Sequence, residues 1–130
     1  MKNPVKLLLV FSAFFGLLGA VIGSHMAGSG SYALRPIHAH ILVVGWLSLF
    51  AWAVFYKAFE VKYNALSKFH VWSAILGTTG LVTGMFLTNV ASLGLPEGIT
   101  LVIYIGGGVG LLLSYVAFFV QAIMYKPADK

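Results

Sequence analysis

Four long apolar stretches joined only by short polar turns dictate what this chain can become. They run over residues 5–26, 37–59, 69–90 and 99–125, each at or above the ~20 residues that carry a helix across a hydrocarbon core. With 60% apolar residues, 8% charged residues and a mean hydropathy of +0.96, the composition fits no ordinary soluble domain. The expected fold is all-α: a single integral membrane four-helix unit over residues 1–130, with no room for a sizeable soluble domain. The first stretch, with Lys2 and Lys6 ahead of it, has the outline of a secretory leader but is read as a retained span.

Charge gives the orientation. The net charge of +5 would suit a nucleic acid if the cations clustered, but they are divided by the spans. Lys2, Lys6, Lys57, Lys62, Lys68, Lys126 and Lys130 all fall on one side of a four-span chain, and only Arg35 falls on the other. That is the positive-inside pattern, with both termini cytoplasmic, so no nucleic-acid partner is expected. The absence of cysteine excludes thiolate metal sites, disulfides and thiol redox chemistry.

Local signals punctuate the spans. Pro4 suits the first turn of helix 1, and Pro36 opens helix 2. Gly16–Ala20 and Gly19–Gly23 are small-xxx-small spacings that allow close helix packing, and Gly106, Gly107, Gly108 and Gly110 suggest a packing surface on helix 4. Ser67 is the expected N-cap of helix 3. Trp52, Tyr56, Phe59, Tyr63, Phe69 and Trp72 crowd towards the inner boundary, as in an aromatic interface belt.

Within this apolar frame the histidines stand out, because an ionisable residue in a membrane segment marks a functional site by default. His38 and His40 share the first turn of helix 2. Two positions on an α-helix are about 200° apart, which suits two separate cofactors better than one jointly chelated ion. Two readings stand: a pair of interfacial side chains reaching water, or axial ligands to iron in haem, a standard use of neutral imidazole. His25, at the outer end of helix 1, is a further ligand, a hydrogen-bond partner for a haem propionate, or an interfacial residue. Arg35 is either a headgroup anchor or a forked partner for propionates. Gly45 either clears space for a macrocycle or packs a helix. Thr88 and Asn89 lie at the depth needed to hold the second ring nitrogen of a ligand, or are ordinary interfacial residues. His70, roughly 30 Å deeper by helical rise, is expected as an interfacial residue at a helix start.

The run Leu34-Arg35-Pro36-Ile37-His38-Ala39-His40, followed by Gly45-Trp46-Leu47-Ser48-Leu49-Phe50, resembles helix segments in the catalytic subunit of haem–copper oxidases and nitric oxide reductases. It is also similar to short four-helix relatives of that subunit. The large subunit arranges its helices as three arcs of four, and its last arc carries a His-x-His whose members bind different haems. The resemblance implies a single-arc homologue in the cytoplasmic membrane of a bacterium or archaeon. It further implies non-covalent haem b ligated by His38 and His40, and a homotrimer that closes the ring, with haem held between His38 of one protomer and His40 of the next.

Departures from the family narrow the chemistry. Where its copper site needs a histidine pair, this chain reads Leu87-Thr88-Asn89-Val90, and its acidic residues Glu60, Glu97 and Asp129 lie outside the spans. Neither a copper-assisted oxygen reaction nor proton pumping is expected; electron transfer, or binding of haem and gases such as NO and O₂, is. The competing readings are a copper-handling protein using His25 with His38 or His40, and an assembly subunit without haem. A small multidrug-type transporter is disfavoured, since that class needs a membrane-embedded carboxylate.

Overall fold

The computed structural model describes residues 4–126 and is built from helices, four of them long and apolar enough to cross a membrane. They are α1 (Pro4–Ser29), α2 (Arg35–Ala58), α3 (Ala65–Asn89) and α4 (Glu97–Met124). Lys2, Asp129 and Lys130 lie outside the described residues. Large apolar side chains are exposed along every helix, among them Leu17, Val54, Leu76, Val102 and Phe119. On a soluble monomer such a surface would be a liability; here it is the face offered to lipid.

The turns follow simple backbone chemistry. α1 ends at Gly30, whose φ of +64° is the left-handed conformation glycine adopts without a Cβ penalty. Asn64, rather than Ser67, caps α3: its side chain accepts from the Ser67 amide at 3.0 Å. Ser67 is thereby placed in the first turn, with its hydroxyl inside the bundle.

Within α2, residues Ile41–Ser48 form a π-helical stretch immediately after His40. Wide turns of this kind are rare and disturb the hydrogen-bond ladder, and in a membrane the disturbed groups need partners from within the protein. Two hydroxyls provide them, and a third holds one of the two in place. Ser48 Oγ donates to the Val43 carbonyl at 2.8 Å, and Tyr115 of α4 lies 2.8 Å from the same Ser48 oxygen. Ser12 of α1 donates to the Trp46 carbonyl at 2.9 Å. The irregular stretch is therefore tied to two other helices.

Glycines set the helix spacing. Along the α1–α2 seam, Gly16 faces Trp46, Gly19 faces Ile41 and Leu42, Gly23 faces His38, and Gly45 of α2 receives the ring of Phe15. α3 and α4 form the closest pair. A Cβ on Gly77 would meet the backbone at Gly110–Leu111, one on Gly84 the backbone of Tyr104, and one on Gly107 the backbone at Gly80–Leu81. Helix 4 glycines thus do form a packing surface, but through Gly107 and Gly110, and the matching face on α3 is as essential. Nothing lies within 4 Å of a Cβ on Gly106.

This contrast generates a prediction. Gly107→Ala should lower stability by roughly 1–3 kcal/mol, because overpacking against backbone cannot be relieved by a rotamer change, whereas Gly106→Ala should be neutral or slightly stabilising. Thermal unfolding in detergent micelles measures both.

Candidate functional site

The end of the bundle at the α1–α2 turn carries the four residues singled out as possible haem partners in α1 and the first turn of α2. His25 is exposed near the end of α1, while the adjacent Met26 is buried, so the two side chains face different surroundings. Arg35 places its guanidinium 4.4 Å from the centre of the Tyr32 ring, a cation–π contact that holds it at the mouth of the α1–α2 turn.

His38 and His40 diverge from α2 into unlike environments. His38 leans into the α1–α2 seam, where a Cβ on Gly23 would stand only 3.0 Å from its Cε1; its Nδ1 is enclosed and without a hydrogen-bond partner. His40 has its Nδ1 2.8 Å from the Pro36 carbonyl one turn earlier. A carbonyl only accepts, so Nδ1 carries the proton and Nε2 keeps its lone pair. Metal-binding imidazoles are held in this tautomer by this kind of bond. The orienting partner therefore comes from α2 itself. Asn89, expected to provide it from α3, instead donates from Nδ2 to the Met85 carbonyl of its own helix at 2.9 Å.

An apolar cleft of about 480 Å³ runs along the same seam, lined by Ala13, Gly16, Leu17, Ala20, Leu42 and Trp46. The volume falls in the range of about 300–1,000 Å³ usual for small-molecule sites. Leu42 and Trp46 stand four and eight positions after His38, so the cleft lies inward of that imidazole along one face of α2. Space for a flat apolar group is thus beside Gly16 and Ala20; the space at Gly45 is taken by Phe15. One imidazole with a bare Nε2 and a second with an unpartnered nitrogen are donors of the kind that iron or copper accepts, and the apolar cleft lies on the same α1–α2 seam, lined by neither imidazole. Among the described residues, no three His, Cys, Asp or Glu side chains gather as a metal-binding group.

At the opposite end the structure assembles polar residues that the sequence reading dispersed. His70 is fully buried, not interfacial, and Trp52 and Tyr56 are core residues rather than members of a lipid-facing belt. Tyr56 Oη lies 2.7 Å from His70 Nδ1 and donates to Gln121 Oε1 at 3.0 Å. With that proton committed to Gln121, His70 Nδ1–H donates to Tyr56. Ser67 Oγ lies 2.9 Å from the same Gln121 oxygen and 3.0 Å from the Lys62 carbonyl. Trp52 meets the His70 ring edge-on at 4.8 Å, and Phe118 stacks on it at 5.8 Å, enclosing an unpartnered Nε2. Both hydroxyls meet one amide oxygen, so the cluster locks α2, α3 and α4 together. The sequence held one signal for it: Gln121 is a lone amide in an apolar helix, and a buried polar group in lipid must find partners.

No known family matches this chain, and no curated protein or solved structure shows significant similarity to it.

Tyr56→Phe removes a partner from both His70 and Gln121 and should cost roughly 1–2 kcal/mol, the scale of interhelical hydrogen bonds in membranes. The exposed neighbour Lys57 provides the comparison: Lys57→Gln should stay within about 0.5 kcal/mol. Unfolding in mixed micelles reports both.

Proposed function

We propose that this protein is a membrane-embedded b-type cytochrome, a single-arc relative of the haem–copper oxidase and nitric oxide reductase catalytic subunit. It serves electron transfer or haem and gas binding. The observation that carries this reading is His40, whose Nδ1 bond to Pro36 leaves Nε2 free to ligate, on the turn that also carries His38, with an apolar cleft further along the same α1–α2 seam. Haem would be held through His38 and His40, with Arg35 at the mouth to meet propionates. When bound, haem supplies a one-electron redox centre whose potential follows its axial ligands and burial. The chain's own contribution is to fix the His40 tautomer, offer an apolar cleft on the same seam and hold the Arg35 guanidinium at the α1–α2 turn. Attachment is non-covalent, since no cysteine is present.

The same reading sets topology and assembly. Lysine bias puts the termini and the α2–α3 turn on the cytoplasmic side, so the histidine pair sits at the outer boundary of a bacterial or archaeal cytoplasmic membrane. The cleft opens towards lipid in one protomer. A homotrimer buries such a face by closed symmetry and brings His38 of one copy opposite His40 of the next. For copper held by His25 with His38 or His40, Met26 is a poor additional ligand, because it is buried while His25 is exposed.

Protein purified in mild detergent should show a reduced-minus-oxidised haem b difference spectrum. His38→Ala and His40→Ala should each cut haem content at least about tenfold, since losing even a hydrogen-bond partner of a metal ligand typically costs about 10–100-fold in affinity. His25→Ala should retain most of it. A colourless wild type that takes up no added hemin rejects the cytochrome reading.

A further inference from the structure

A second cavity lies at the other membrane boundary, and the haem reading does not involve it. It has a volume of about 480 Å³ and is formed where the α2–α3 turn meets the end of α4. Its charged lining consists of Glu60, Lys62 and Lys126; Phe59, Leu66 and Met124 supply apolar walls. Phe59 is braced edge-on by Tyr125 at 5.2 Å. Beneath the cavity lies Gln121, held by Tyr56 and Ser67, so one wall is anchored to the most rigidly bonded part of the bundle. Glu60 reaches the rim with a φ of +48°, a left-handed conformation that costs free energy in a residue with a side chain and is often kept where a loop has a task.

We propose that this cavity is a binding site for an acidic phospholipid. A basic pocket between spans, at the boundary that the proposed topology assigns to the cytoplasm and on which this inference rests, is the arrangement that recognises anionic headgroups. Two lysines against one glutamate leave a surplus cation for a phosphodiester of single negative charge, and the apolar walls on the lipid side accept the start of an acyl chain. A free phosphate would use the lysines but leave Phe59, Leu66 and Met124 idle. A zwitterionic amine lipid would use Glu60 as a partner, which gives the opposite sign when Glu60 is neutralised. The proposal does not depend on haem.

Native mass spectrometry of the full chain tests it, with phosphatidylglycerol, phosphatidylethanolamine and phosphatidylcholine of equal chain length offered in detergent. Phosphatidylglycerol should be retained about tenfold over phosphatidylcholine, and Lys62→Gln and Lys126→Gln should each reduce retention about fivefold. Glu60→Gln should raise it. Lys68→Gln, an exposed lysine at the same boundary but outside the cavity lining, should change it less than about twofold. Equal retention of the three lipids, an equal loss from Lys68→Gln, a preference for phosphatidylethanolamine that Glu60→Gln abolishes, or displacement of the lipid by millimolar inorganic phosphate would each overturn the proposal.

Discussion

Inside a bilayer no water stands ready to satisfy a peptide group, and this constraint decides the shape of α2. The π-helical turns at Ile41–Ser48 disturb the regular ladder in an apolar setting, where each unsatisfied group costs several kcal/mol. The repair is specific: Ser48 serves the Val43 carbonyl, Ser12 reaches across from α1 to Trp46, and Tyr115 of α4 meets Ser48. These bonds fix the rotation of α2 relative to its neighbours directly below His38 and His40. Wide helical turns occur often at functional sites, and here one adjoins the only closely spaced pair of histidines in the sequence.

From that fixed point the two ends of the bundle differ in character. At the end with the α1–α2 turn glycines thin the α1–α2 seam, so that an imidazole and an apolar cleft can occupy it. At the inner end Tyr56, Ser67, His70 and Gln121 knot three helices together. The first arrangement leaves imidazole nitrogens of His38 and His40 without protein partners; the second uses most of its polar atoms internally, His70 Nε2 excepted.

Much of the architecture was legible in the residues. The four spans begin and end within a few positions of where hydropathy places them, because apolar runs of that length have few alternatives. Gly16, Gly19 and Gly23 announced a close seam, and Gly107 with Gly110 did the same for α4. The π-helical stretch was not legible: Ile41–Leu47 is almost wholly apolar, so its pattern has no polar face whose rotation would betray a change of period. Gly77, Gly80 and Gly84 were overlooked because a glycine at helical spacing reads only once its partner helix is known. His70 and Tyr56 were misplaced for a related reason. Their places near the α2–α3 turn could be read from the sequence, but which side of each helix meets the bundle is set by how the helices pack, not by position along the span. At the outer end the sequence supplied the divergence of His38 and His40, while the Pro36 bond that sets the His40 tautomer required coordinates.

The central claim is that the two imidazoles of the first α2 turn are iron ligands. Near-infrared magnetic circular dichroism of the oxidised, detergent-purified protein addresses it most directly, since the charge-transfer band reports the axial pair. The account predicts low-spin iron with two imidazole ligands; a high-spin or non-histidine signal, or no chromophore at all, would contradict it.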